Sequence, residues 1–424
     1  MNNKKEKKLT PSLRFPEFEG DGAWSEKELK KLANRITDKN TDSFISRVLT
    51  NSATNGVVDQ RDYFDKDIAD QANLEGYSIV DEGDYVYNPR VSTSAPVGPI
   101  SKNKLDKGVM SPLYTVFRFK DKKNDFFEHY FKSSHWHYYL RRVSNTGARH
   151  DRMSITIDAF EEMPLPLPPT NNEKLKIAAC LSSIDEVIEL EGKKLKALHN
   201  HKKGLMQNLF PAEGETLPKL RFPEFQGNDG WHYVQLNKIL KEHKLKNDGN
   251  CIVHSVSVKK RVVDQIEHLG RSYAAADTSN YNLVKPFDVV YTKSPTGDFP
   301  FGIVRQSLKN CNVIVSPLYG VFTPLNNYLG YIIDAYFESS HRANSFLDPI
   351  TQKGAKNTIN ISNTTFLSGK LYLPKNETEQ KKIAECLISV DNLIEAQDKK
   401  YADLKEHKKG LMQKLFPNPE ALKV

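Results

Sequence analysis

Cysteine and tryptophan are scarce in this chain, and long apolar runs are missing altogether. The four cysteines, Cys180, Cys251, Cys311 and Cys386, include no CxxC pair, which removes the usual thiol spacing for zinc or redox work. They fit reduced thiols in a cytoplasmic protein. No stretch of eighteen apolar residues occurs, so no membrane span is expected. The opening MNNKKEKKLTPS is charged and has no apolar segment behind it, so residues 1–12 read as a solvated tail and not as a secretory signal. A GxxxxGKS or GxxxxGKT phrase is also lacking, and with it the common triphosphate-binding loop.

What is present is length, a modest basic excess and repetition. The 424 residues suffice for two or three cores, and 61 Lys plus Arg against 53 Asp plus Glu give a net charge of +8. That excess suits a polyanionic partner without demanding one. LRFPEF stands at Leu13–Phe18 and again at Leu220–Phe225, an offset of 207. SPLYTVF (Ser111–Phe117) answers SPLYGVF (Ser316–Phe322). KIAACLSSIDEVIE (Lys176–Glu189) answers KIAECLISVDNLIE (Lys382–Glu395), and HKKGLMQNLFP (His201–Pro211) answers HKKGLMQKLFP (His407–Pro417), both at 206. The chain is one unit written twice. Agreement is concentrated at the start and end of each copy, and the interiors diverge.

Within each copy, short β-branched and aromatic runs punctuated by Gly, Pro, Asn and Asp predict a strand-rich α+β module. Prolines in PLPLPPT (Pro164–Thr170) and LYLPKNE (Leu371–Glu377) then end the strands. Thr170 or Asn172 is positioned to cap one following helix, and Thr378 or Asn376 the other. Apolar positions recur with alternating steps of four and three from Ile177 to Leu209 and from Ile383 to Leu415, a coiled-coil period. Each helix should run about 35–40 residues, or about 55 Å. Connectivity then requires the seams to pair antiparallel, with one module toward each end. That arrangement brings Leu422 near the chain start and forbids a Cys180–Cys386 disulfide.

Two divergent modules, each introduced by LRFPEF and closed by KIAxCLxxxDxxIE and HKKGLMQxLFP, resemble the specificity subunit of a type I restriction-modification enzyme. The likeness covers nearly all of residues 9–417. It implies an α+β fold of two similar strand-rich target-recognition domains, joined by two long antiparallel coiled-coil helices with pseudo-two-fold symmetry. The divisions expected are tails at 1–12 and 418–424, recognition domains at 13–170 and 213–376, and helix regions at 171–212 and 377–417. The resemblance further implies a non-catalytic subunit that reads a bipartite, asymmetric double-stranded DNA site, one half per domain. The helices would set the spacer and dock two modification subunits, which hold S-adenosylmethionine. Restriction subunits using ATP and Mg would complete the assembly, and this chain would itself bind no cofactor.

Candidate DNA-contacting side chains follow the DYVY and DVVY strands: Asn88, Arg90, Ser92 and Thr93 in the first copy, Thr292, Lys293, Ser294 and Thr296 in the second. A second matched pair of loops, NTGARHDR and TQKGAKNT, supplies Asn145, Arg149 and Arg152, then Gln352, Lys353 and Lys356. Arg suits guanine O6 and N7, Asn and Gln suit adenine, and Lys more often holds phosphate. Gly204 and Gly410 inside helices cost about 1 kcal/mol relative to Ala, and close approach of another helix is the reason expected. With Met206 and Met412 they form the candidate partner face.

Catalytic readings are weaker. YNPR (Tyr87–Arg90) lacks the second proline and the aromatic residue of an adenine methyltransferase signature, and no Gly-rich cofactor loop precedes it. His129, His135 and His137 lie among aromatics and fit a packed helix better than a metal site, while the repeated Ser–His pair fits a helix end. Two competing readings remain: an enzyme with an unrecognised methyltransferase or nuclease centre, and a coiled-coil scaffold carrying two ligand-binding modules. Methyl transfer by the chain alone would favour the former.

Overall fold

The computed structural model describes residues 9–64, 74–145, 151–247, 249, 251–353 and 359–418. The chain divides into two compact units, Met1–Gly192 with Lys399–Val424, and Lys193–Asp398. Each unit takes one globular module, the first part of one long helix and the last part of the other.

In the first unit a four-stranded antiparallel sheet has the order Ala33–Arg35, Thr115–Phe119, Tyr85–Tyr87, Ile100–Lys102. Three two-stranded ladders accompany it: Ser25–Glu28 with Pro164–Leu167, Leu49–Ser52 with Gly56–Asp59, and Ser78–Val80 with Gly108–Met110. The second unit repeats this plan. Its sheet runs Leu240–Glu242, Gly320–Pro324, Val289–Tyr291, Val304–Gln306, with the corresponding three ladders and a further hairpin of Gln352–Lys353 with Ile359–Asn360. Inward-facing aromatics explain the packing: Tyr85, Phe117, Phe126, Tyr130 and Trp136 are buried in the first unit, and Tyr291, Phe322, Tyr331, Phe337 and Phe366 in the second.

The long helices are α1 (Asn171–Asn208, 38 residues) and α2 (Glu377–Leu415, 39 residues). Of the candidate caps, Thr170 accepts a hydrogen bond from the Glu173 amide at 3.3 Å, and Asn376 accepts from Thr378 at 2.8 Å. All ten expected seam positions of each helix are buried or half-buried, while Lys193, Lys194 and Lys196 are exposed. Inside the first unit the helices run antiparallel, since Asp185 meets Lys408 and Glu191 meets Lys400. Inside the second, Lys202 meets Asp391 at 2.6 Å.

Two expectations need correcting. The stretch 1–12 is not wholly a solvated tail: Leu9 is buried in the first core, and its carbonyl accepts from the Trp24 amide at 2.8 Å. The packed helix expected to carry His129, His135 and His137 is broken into Asp125–Phe131 and His137–Val143, with His135 between them. Ser133 donates to the Tyr130 carbonyl at 2.6 Å where the first piece ends. In the second unit Ser339 caps Ser340–Leu347, so the repeated Ser-Ser-His is a helix-end device. Cys180 and Cys386 are both thiols. Leu422 lies outside the described residues.

Candidate functional site

The end of the DYVY strand opens onto the first candidate loop. Asn88 is only 9% exposed; its amide donates to the Asn51 carbonyl at 2.9 Å and its oxygen accepts from the Arg90 amide at 3.0 Å. It shapes the loop from inside and is not presented to a ligand, which corrects its assignment as a contact. Thr292, its counterpart, is likewise buried, its hydroxyl accepting from the Ile303 amide at 3.0 Å. Glycines make these turns possible. Gly98 has φ +79° and a Cβ there would sit 2.0 Å from the Asn88 carbonyl oxygen; Gly302 has φ +98° and a Cβ there would sit 2.7 Å from the Lys293 amide nitrogen.

Arg90, Ser92 and Thr93 are exposed. Arg90 bridges Arg152, with Val91 donating to the Asp151 carbonyl at 3.0 Å and Met153 to that of Pro89 at 2.9 Å. Two stretches separated by about sixty residues of sequence are thereby one surface. Asn145 is exposed beside it, bridged to Ser154, and Arg152 is half-buried against Asp151. Arg149 lies outside the described residues, as does Lys356.

In the second unit Ser294 and Thr296 are exposed on a tight turn closed by reciprocal amide bonds between Thr296 and Phe299. Lys293 adopts φ +60°, a conformation L side chains rarely take, and burial lowers the pKa of its ammonium. Gln352 and Lys353 occupy their hairpin strand, paired with Asn360 and Ile359.

The helix ends resolve the repeated HKKGLMQ phrase. Lys202 reaches both Asp391 and Glu338 at 2.6 Å, and Lys408 reaches Asp185. The first Lys of the phrase in each helix therefore pairs with the Asp of the KIAACLSSIDEVIE or KIAECLISVDNLIE segment in the other helix. Burial opposes ionisation of Asp185, yet Lys408 and Lys132 outweigh it and hold its carboxyl below the ordinary value. Around Lys202 the second unit gathers Arg261, Arg305, Asp334 and Tyr331, with Arg261 2.7 Å from both Asp334 and Asp391. Burial raises the Glu338 carboxyl, but Arg305 and Lys202 bring it down to about 2.

The candidate partner face is only half as expected. A Cβ at Gly204 or at Gly410 would meet nothing within 4 Å, so neither glycine serves a close contact among the described residues. Met206 and Met412 are 7% and 8% exposed and belong to the cores of their own units, which corrects their placement on that face. The glycine that does admit a neighbour is Gly192, whose Cβ would lie 3.2 Å from the Tyr401 ring. Among the described residues no group of His, Cys, Asp and Glu is arranged to hold a metal ion, and no helix is long and apolar enough to cross a membrane.

Comparison with known proteins gives this arrangement of two modules and paired helices its relatives. Residues 23–200 match the family described as Type I restriction modification DNA specificity domain. The type I restriction enzyme MjaVIII specificity subunit of Methanocaldococcus jannaschii is 26% identical over 333 residues, covering 74% of this chain and 71% of that one. The S subunit of the type I restriction-modification system from M. genitalium shares the fold, with a TM-score of 0.59 and 13% identity over 96% of this chain and 99% of that one. The resemblance read from the sequence is borne out: residues 23–200 match the specificity-domain family, and the chain is similar to specificity subunits of type I restriction-modification systems.

Proposed function

We propose that each unit reads one half of a bipartite, asymmetric DNA site, and that the chain performs no catalysis of its own. The observation carrying this reading is one frame holding two different surfaces: the same sheet, seam and helix clasps support Arg90–Thr93 with Arg152 in one unit and Lys293–Thr296 in the other. Two different readers on a common frame suit two different half-sites. Arg90 and Arg152 are placed for base edges or phosphates, and Ser92, Thr93, Asn145, Ser294 and Thr296 for hydrogen bonds to either.

The paired helices set the distance between half-sites and carry two modification subunits, with the open backbone at Gly204 and Gly410 as the matched approach points. S-adenosylmethionine belongs to those subunits, and ATP and Mg to the restriction subunits of a full cytoplasmic complex. Sequencing the methylated sites of the native host, with and without this gene, tests the reading. Loss of one split, asymmetric methylation motif is expected; an unchanged methylome overturns it. Removing one heptad from each helix shortens it by about 10 Å, equivalent to about three base pairs of spacer. The half-sites should persist while the spacer changes.

A further inference from the structure

The two units differ at one place in a way that opens space. Ladder register makes Gly56 the counterpart of Arg261 and Ser101 the counterpart of Arg305. In the second unit those arginines turn inward onto Asp334, Glu338 and Asp391. In the first unit, where glycine and serine stand, a cavity of about 620 Å³ is found instead, a volume typical of small-molecule sites.

Its walls come from four separate segments: the turn at 53–57, residues 94–104, residues 128–137, and Lys409, Met412 and Gln413 of α2. Four cations line it, Lys102, Lys104, Lys132 and Lys409, against one carboxylate, Glu128. Glu128 already holds Lys104 and Lys132, each at 2.8 Å. Lys102, Lys132 and Lys409 also have carboxylates outside the lining, Asp125 at 2.7 Å, Asp185 at 3.5 Å and Glu406 at 3.6 Å. Hydroxyls of Thr54, Ser94, Ser101 and Ser134 add donors, and Phe131 and Trp136 close the interior.

We propose that this cavity binds a small phosphorylated anion of about mononucleotide size. Lysine cations stand round the lining, with hydroxyl donors between them. Three of those cations belong to the first unit alone: the second has Gln306, Leu308 and Glu338 where the first has Lys102, Lys104 and Lys132. The site is therefore a property of one unit and not of the shared frame.

Calorimetric titration of the full chain with adenosine 5′-monophosphate, and separately with inorganic pyrophosphate, tests this in phosphate-free buffer. Saturable binding of either is expected, weakened at least tenfold in Lys104→Leu with Lys409→Ala. Both lysines are exposed, so the fold should persist, which a thermal melt checks. Lys102→Gln, carrying the second unit's own residue, gives an independent reading in the same direction. The proposal fails if neither anion gives saturable heat, or if the variants bind as the parent does. It also fails if a 20-base-pair duplex alone loses affinity in the variants while the small anions never bind.

Discussion

Arg14 binds Glu173 through two parallel hydrogen bonds of 2.7 Å, and the Trp24 indole adds a third to the same carboxylate at 3.2 Å. Arg221, Glu379 and Trp231 repeat the fork. One residue earlier, the Leu13 amide donates to the Lys414 carbonyl at 3.0 Å, and the Leu220 amide to that of Asn208 at 2.8 Å. LRFPEF thus ties the last turn of one long helix to the first turn of the other.

Because Glu173 is fully buried, Arg14→Ala leaves a carboxylate without its counter-ion. The expected loss is about 3–5 kcal/mol in urea unfolding. Adding Glu173→Gln to that variant should restore part of it, since a neutral amide needs no counter-ion.

The Lys408–Asp185 contact is a register device across the seam. Lys408→Met alone should cost about 1–3 kcal/mol, and Lys408→Met with Asp185→Leu less than the sum of the single changes. Additive losses in a double-mutant cycle would show that the two charges are not coupled.

The three glycines of the long helices should respond differently. Gly204→Ala and Gly410→Ala should each gain up to about 1 kcal/mol of stability, whereas Gly192→Ala should gain little against the Tyr401 ring. Gly204→Leu should fold normally and recover less modification subunit in co-purification. Equal recovery would remove Gly204 from the docking face.

Burial lowers His129 to about 4, aided by Lys132 and Lys408 and opposed by Glu128 and Asp185. The unfolded chain then binds a proton that the folded chain refuses between pH 6.5 and 4. Stability should be full above pH 6.5 and fall by on the order of 2–3 kcal/mol as pH drops through that window. His129→Ala, matching Ala335 of the second unit, should flatten the melting temperature between pH 7 and 4.5, although His137, also lowered to about 4, retains some slope.

On DNA, Arg90→Ala should weaken cognate binding by about 1–3 kcal/mol and non-cognate binding much less. Equal loss on both, with a shallower salt dependence, would make Arg90 a phosphate contact.

The repeat, the helix limits and the seam were legible because period and offset survive in letters: Ile177 to Leu209 keeps its spacing whatever packs on it. Caps narrowed to two candidates each, and geometry chose Thr170 and Asn376. What the letters hid is direction. Asn88 and Thr292 look like loop polars, yet each is turned inward to bond a backbone group. Met206 and Met412 sit one residue past seam leucines, and that step suffices to bury them. Nor does spacing reveal that Arg90 meets Arg152, because that bridge depends on how two loops fold back. Gly56 against Arg261 is visible only once ladder register aligns the divergent interiors.

That last difference limits how freely the interiors can be interchanged. The clasps and seam pairs lie in the shared flanks, and on those contacts alone any reader would fit either frame. Arg305, however, belongs to the second interior and finds Glu338, while the first frame offers Lys132 at that position. A graft of the second interior into the first frame would set guanidinium against ammonium. It needs Lys132→Glu to travel with it. The two halves of the chain are interchangeable in plan and distinct in charge, and the helix flank carries part of the identity of the reader it supports.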